Sequence, residues 1–372
     1  MVESSTGQLQ LKRSKSIPLH RQISKSIEGR IRNGELSVGV RLSTDNELAE
    51  QLGTSPLTVA KAYSELAKQG LISRTRGRGT FVSRNRSHTG KVLFTSPHMN
   101  NIYTLQLVHG IGEGLRSSNR DTMMRGRDFG ASKELAVVES VSSSDVDGII
   151  TTGSLGSYKA YLDAIERGLV VVVVECVVPE IPFVQSNQIK VGRLAARHLI
   201  DLGHKDLCVV CANYDKGRER LFGFQIELAK SGVEIREDRI FYPQIYLNST
   251  LSQEELQAIF HLKPMPTAIF AYNDTVAIQI YHEAIQHGIR VPQELALVGV
   301  DNWFSHHGVA LTSVDQNIFE VGKQGGILFS KIADEDFQFE PGGPKGIEVD
   351  PVLVVRGSTV AGGNSKGADE KK

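Results

Sequence analysis

From Lys91 onward the chain alternates short unbroken apolar runs with longer amphipathic stretches. The runs fall at 92–94, 148–152, 170–174, 207–210, 239–246, 267–270, 295–300 and 352–355. Helical periodicity covers 104–116, 132–141, 158–167, 189–202, 218–230, 253–261, 276–287 and 318–331. A strand-length run without polar alternation is buried on both faces, and the helices between the runs supply the cover. The pattern predicts α/β architecture with parallel sheets. The stretch is long enough for two such series, hence two lobes of similar topology. In sheets of this kind ligands sit beyond the C-terminal ends of the strands.

The residues before Lys91 follow a different rule. Leu19, Ile23, Ile27 and Ile31 recur every four residues, one apolar stripe of a helix over 18–32. Pro18 suits its first turn and Asn33-Gly34 ends it. Thr44 is placed to cap a second helix while Glu47 reaches back to it; Leu48 and Leu52 face inward and Gly53 stops it. Ser55 caps a third helix with Pro56 at its first position. Its core positions are Val59, Ala62, Tyr63 and Leu66, and Gly70 ends it. Two helices joined by a short turn at Gly53 make a helix-turn-helix. Leu71-Ile72-Ser73-Arg74 and Thr80-Phe81-Val82 then flank a Gly-rich tip, a basic hairpin. The whole reads as a winged helix-turn-helix. Its third helix enters a DNA major groove N-terminus first, and its wing meets phosphate or minor groove.

Composition is informative only when split by position. The chain of 372 residues has 42 Lys+Arg and 42 Asp+Glu, a net charge of zero. Residues 1–90 hold 15 and 7, a net of +8, and the remainder holds 27 and 35, a net of −8. A basic head on an acidic body points to an anionic partner for the head alone. Arg74, Arg76 and Arg78 on the hairpin make double-stranded DNA that partner. The organisation expected is a flexible N-terminus (1–17), a winged-helix domain (18–82), a polar linker (83–90), a two-lobed ligand-binding domain (91–358) and a disordered tail (359–372).

Residues 18–82 resemble the winged-helix DNA-binding domain of the GntR family. The stretches that carry the resemblance are PLHRQI, GELSVGVRLST, ELAEQLGTSPLTVAKAYSELAKQGLI and RGRGTFV. The resemblance implies DNA contacts at Thr44, Asn46, Ser55, Pro56, Thr58, Lys61, Arg76, Gly77 and Arg78, with Arg74 beside them. Three positions depart from the pattern: Asn46, Pro56 and Ala60 stand where the family often has Arg. Lost guanidinium groups remove guanine-reading capacity, so the operator should differ from the commonest family sites.

The body resembles the ligand-binding domain of the LacI/GalR repressors, which share the fold of periplasmic sugar-binding proteins. The residues that carry this are VDGIITTGS (146–154), GRLAARHLIDLGHKDLCVV (192–210), RERLFGF (218–224), the block 266–302 and LTSVDQN (311–317). By that resemblance Arg220, Asn273 and Asp301 are the main effector contacts, and Gln316 lines the same crevice. A planar cation, an amide and a carboxylate also make physical sense around a polyol. Trp303 either stacks on a sugar face or covers apolar surface. His98, Asn100 and Tyr103 follow the first strand as first-lobe contacts or as helix-capping and surface residues. Asp274 reads as a helix-start carboxylate. Ser186-Asn187 replaces a common Asp-Asn, and the family's minor-groove hinge helix is absent. Head and body together are similar to chimeric regulators of the arabinose-repressor type.

Other chemistries find little support. HGIGEG (109–114) lacks the third Gly that a nucleotide loop needs and falls inside a helical pattern. His306-His307 has no carboxylate or Cys spaced to join it, so no metal and no cofactor are expected. Cys208 and Cys211 lie in a strand-like run where residues three apart face opposite sides, which suits buried small hydrophobes rather than a thiol pair. No stretch is apolar for the ~18 residues a membrane span needs, and 1–16 lack a secretory signal, so a cytoplasmic protein without a membrane partner is expected. The reading is a homodimeric, ligand-responsive repressor that binds a palindromic operator and a sugar or sugar derivative. The alternative is a winged-helix regulator fused to an enzyme-like domain.

Overall fold

The computed structural model describes residues 17–33, 35–36, 39–68, 70–75, 79–82, 89–97, 99, 101–128, 130–243, 250–303, 308–334 and 346–360. The head has three helices, α1 (Leu19–Arg32), α2 (Asp45–Leu52) and α3 (Pro56–Lys68). They pack with strands β1 (Arg41–Leu42), β2 (Ile72–Thr75) and β3 (Gly79–Val82), antiparallel in the order β1-β3-β2. Its core is the predicted stripe: Ile23, Ile27, Leu48, Val59, Ala62, Tyr63 and Leu66. Thr44 and Glu47 close a capping box at α2, and Gly53 ends that helix in the left-handed region at φ 57.

The body begins with β4 (Lys91–Ser96), α4 (Ile102–Leu115), β5 (Asp121–Gly126), α5 (Ala131–Ser140), β6 (Gly148–Thr151), α6 (Tyr158–Glu166), β7 (Val170–Val174) and β8 (Phe183–Ser186). The chain then crosses to α7 (Gln188–Asp201), β9 (Leu207–Val210), α8 (Asp215–Lys230), β10 (Ile240–Phe241), α9 (Gln253–Phe260), β11 (Ala268–Ala271), α10 (Asp274–Gln286), β12 (Ala296–Val300) and β13 (Thr312–Asp315). It returns through α11 (Ile318–Asp334) and β14 (Gly346–Val349), and ends with β15 (Val352–Val354). The first lobe's sheet runs β14-β8-β7-β6-β4-β5, all parallel. The second runs β10-β9-β11-β12-β13-β15, parallel except for the final pair.

Three strand connections therefore join the lobes, at 186–188, 315–318 and 349–352. They are tied to one another. Asn187 N donates to Val349 O at 3.0 Å, Lys190 pairs with Asp350 at 2.7 Å, and Asn317 Nδ2 donates to Asp350 O at 2.6 Å. The three crossings thus form one bonded cluster.

Several expectations change here. The run 239–246 holds only a two-residue strand, β10. Arg239 precedes it in a 3₁₀ turn with its side chain buried against Pro264 O, and Pro243 cannot donate to a ladder; 244–246 lie outside the described residues. Strands β5, β13 and β14 lack the apolar run that marks a strand. β5 is a largely exposed edge, and in β13 Thr312 and Ser313 are buried because the hydroxyls of Ser358 and Asp274's carboxylate bond to them. Thr89, assigned to the linker, is bound to Asp147 through N and Oγ1. Thr359, assigned to the tail, is buried against Thr312 Oγ1 and His198 Nε2, each at 2.8 Å. Residues 1–16, 83–88 and 361–372 lie outside the described residues. Cys208 and Cys211 pack on opposite faces of the second sheet, and burial pushes both thiols up to about 12.

The glycines of HGIGEG serve packing. A Cβ on Gly110 would lie 2.0 Å from Phe319 O, and one on Gly114 would lie 2.1 Å from Lys323 O. On the facing helix, Gly322 and Gly326 would collide with Leu107 O and Ile111 O. Helices α4 and α11 touch backbone to backbone. Gly112, on the outer face, meets nothing within 4 Å. We expect Gly110→Ala to destabilise the chain by about 1–3 kcal/mol or more through overpacking. Gly112→Ala should instead stabilise it by about 0.5–1 kcal/mol. Urea denaturation of the two variants checks the opposite signs.

Candidate DNA interface and effector crevice

Helix α3 buries Val59, Ala62, Tyr63 and Leu66 and turns Pro56, Leu57, Lys61 and Ser64 outward. Ser55 Oγ caps it by accepting from Thr58 N at 3.2 Å and lies 2.9 Å from Thr58 Oγ1. Thr58 is half-buried, and its hydroxyl belongs to the cap as much as to the surface. Thr44 likewise caps α2, while Asn46 is exposed in that helix's first turn. Among the predicted contacts, Asn46, Pro56 and Lys61 are exposed, while Thr44 and Ser55 are exposed but serve as helix caps. Leu57 was not singled out by sequence, yet it is 67% exposed at the start of α3. An apolar side chain there is the kind that meets a thymine methyl.

Arg74 differs from the expectation of a phosphate contact. Its guanidinium grips both carboxylate oxygens of Asp45 at 2.6 Å and lies 5.5 Å from the Tyr63 ring centroid. Tyr63 Oη in turn donates to Ser43 O at 2.8 Å. Arg74 ties the wing strand to the start of α2. Arg76, Gly77 and Arg78 lie outside the described residues.

The crevice is built at the C-terminal ends of the second lobe's strands. Arg220, in the second turn of α8, is 3% exposed. Its Nε donates to Gln188 Oε1 at 2.8 Å, its Nη1 to Tyr272 O at 2.6 Å and its Nη2 to Gln316 Oε1 at 3.0 Å. Gln188 Nε2 also donates to Gln316 Oε1 at 3.0 Å, and Gln316 Nε2 donates to Asp301 Oδ1. The guanidinium lies 4.9 Å from the Tyr272 ring centroid, which meets Tyr214 edge-on at 5.6 Å. Close packing of α7 on α8 sets this up: a Cβ on Gly192 would lie 1.8 Å from Arg220 O.

The structure thus brings Arg220, Gln316 and Asp301 into one bonded chain. Asn273 sits beside it, after β11, and its side chain accepts from Val276 N as the cap of α10. Asp301 holds φ 106, a conformation that a side-chain-bearing residue adopts only when its surroundings impose it. Burial pushes its carboxyl up to about 6, against the pull of Arg220 and Gln316. Trp303 is half-buried, and its backbone N donates to Asp274 Oδ2 at 2.8 Å. Tyr103 lies on the opposite wall, in the first turn of α4, where its hydroxyl donates to Glu175. His98 and Asn100, and likewise His306 and His307, lie outside the described residues.

Glu175, Lys216 and Gln188 were missed. Glu175 had a signal: it follows five consecutive valines, so it stands at a strand's C-terminal end.

Residues 19–82 match the domain of the bacterial regulatory proteins of the gntR family, and residues 196–359 match the periplasmic binding protein-like domain. The chain is a GntR-type head on a periplasmic-binding-protein-like body. The arabinose metabolism transcriptional repressor of Halalkalibacterium halodurans is 26% identical over 365 residues, 93% of this chain and 97% of that protein. Its counterpart in Geobacillus stearothermophilus is 25% identical over 93% of this chain and 99% of that protein. In fold, the transcriptional regulator CelR in complex with cellobiose superposes with a TM-score of 0.63 at 22% identity, covering 82% of this chain and 93% of that one. The chain is a DNA-binding transcription regulator of this chimeric kind.

Asp274 is a buried structural carboxylate, as its helix-start position suggested. It accepts from Ser313 Oγ at 2.7 Å and from Trp303 N. Burial, and then the nearby Asp301 charge, push it up to about 7 from an ordinary value near 3.8. The folded chain therefore binds more protons than the unfolded chain between about pH 4 and pH 7, so this group's contribution falls as pH rises through that window. We expect the stability of Asp274→Asn, relative to the parent, to be higher at pH 7.5 than at pH 5. Urea denaturation at both pH values checks the sign, and an unchanged difference would contradict it.

Proposed function

We propose that the chain is a homodimeric, cytoplasmic repressor that holds a palindromic operator with its two winged-helix heads and releases it when a sugar closes the two lobes of each body. The carrying observation is that the Arg220 cluster takes Gln188 and Gln316 from two of the three interlobe crossings. A ligand that reorganises those bonds acts directly on the hinge. A buried cation, an amide and a half-buried carboxylate offer donors and acceptors around a polyol. Two relatives are named for arabinose metabolism and a similar fold was solved with cellobiose, which supports a sugar as effector. A dimer and a palindromic operator imply each other, since a two-fold protein presents two recognition helices to two half-sites. Release requires that the sugar bind the non-binding geometry more tightly; only that difference in affinity shifts the equilibrium.

Three outcomes are expected. Arg76→Ala with Arg78→Ala should weaken operator binding and flatten its salt dependence by about two phosphate contacts' worth, read by fluorescence anisotropy over a salt series. An unchanged slope would remove the wing from the interface. Arg220→Ala should leave operator binding in place and abolish its release by effector. In the parent, an ionised Asp301 offers both oxygens as acceptors to sugar hydroxyls, and protonation gives up part of that capacity. Effector affinity should therefore fall below about pH 6, by at most about tenfold per pH unit.

A further inference from the structure

A second polar cluster spans the crevice from wall to wall. Glu175 ends β7 of the first lobe with φ 63, a left-handed conformation uncommon for a residue with a side chain. Its carboxylate is almost fully buried and accepts from Ser186 N at 3.0 Å, from Tyr103 Oη, and from Lys216 Nζ at 2.5 Å. Lys216 belongs to the other lobe, in the first turn of α8 and one turn ahead of Arg220. Its ammonium also lies 3.4 Å from Tyr103 Oη and 5.9 Å from that ring's centroid. Burial alone would raise the Glu175 carboxyl, yet the Lys216 charge, with the hydrogen bonds it receives, holds it below the usual carboxylate range. Among the described residues, Lys216 and Arg220 stand against Glu175 and Asp301, with Asp274 beside Asp301 and Asp215 and Glu219 flanking Lys216 on α8, so acidic groups are in excess.

We propose that the Lys216–Glu175 pair sets the charge class of the effector: the crevice takes an uncharged polyol and discriminates against the carboxylated or phosphorylated form of the same sugar. This rests on the reading of the crevice as a sugar site. A neutral hydroxyl can enter between the two groups, accepting from the ammonium and donating to the carboxylate, so that each charge keeps a partner. An anionic group has no such option. If it takes the ammonium from Glu175, that buried carboxylate keeps Ser186 N and Tyr103 Oη but loses its counter-charge and faces a second negative charge. A buried charge stripped of its partner is strongly unfavourable, and rejection by such a clash is how sites separate similar ligands.

The test uses the full chain and isothermal titration with neutral aldoses and cellobiose, each beside its aldonate and its phosphate ester. The parent should bind at least one neutral sugar and bind the matching anion roughly 100-fold more weakly or worse. Glu175→Gln keeps the shape and the acceptor oxygen but frees the ammonium, so the neutral-to-anion ratio should narrow by about tenfold or more. Lys216→Gln, at the partly exposed end of the pair, should widen that ratio, and it serves as the second variant should Glu175→Gln fold poorly. An anion that binds the parent as tightly as its neutral sugar, or a ratio that neither variant moves, overturns the proposal while leaving the sugar reading intact. A panel in which no sugar of either class binds overturns the sugar reading, and this proposal with it.

Discussion

Burying a guanidinium is costly unless its donors are met, and Arg220 is met from three separate segments. Gln188 starts α7, Tyr272 O follows β11 and Gln316 follows β13. Each of those segments leaves a strand end or a crossing at the same place, so the cluster forms only when the second lobe and its hinge are both assembled. Removing the cation would strip Gln188 Oε1 and Tyr272 O of their Arg220 donors, at about 1–3 kcal/mol each, while Gln316 Oε1 keeps Gln188 Nε2. The strained backbones of Glu175 and Asp301 at neighbouring strand ends fit this view, since such conformations persist only where the surroundings over-determine them.

Much of the fold was legible because it rests on periodicity. The head's apolar stripes, its caps at Thr44 and Ser55 and the doubly buried runs such as 170–174 all correspond to observed elements. Two of the crevice residues that escaped, Gln188 and Lys216, share one physical cause. The apolar stripe of a helix begins where the helix meets the core, and helices that point at a crevice begin with a polar turn. Sequence placed the starts of three helices at Ile189, Arg218 and Val276, but they begin at Gln188, Asp215 and Asp274. The residues gained are Gln188 and Lys216, which bond across the crevice, whereas Asp274, beneath it, already read as a helix-start carboxylate. Arg220, Asn273, Asp301 and Gln316 were found by resemblance to a family motif; Lys216 matched no quoted stretch and lay in what read as loop.

The same reasoning separates the two uses of glycine. HGIGEG has the composition of a phosphate loop, yet its outcome is set by the partner helix, where Gly322 and Gly326 face Gly110 and Gly114. Backbone contact between α4 and α11 joins the helix that carries Tyr103 to the helix that follows Gln316. The two walls of the crevice are thus linked behind it as well as across it.

The position of the linker gives this linkage a direction. Helix α11 starts at Ile318, two residues after Gln316, and ends at Asp334. The Asp334 carboxylate takes two N–H groups of Arg120, whose Nε binds Asp147 at 2.8 Å. Asp147 in turn holds Thr89, where the chain emerges from the linker to enter the body. Arg120 and Asp147 are both almost fully buried, so losing either partner would strand a charge in the first lobe. One helix and one ion-pair chain, buried at Arg120 and Asp147 and exposed at Asp334, thus run from beside the Arg220 cluster to Thr89, where the chain enters the body.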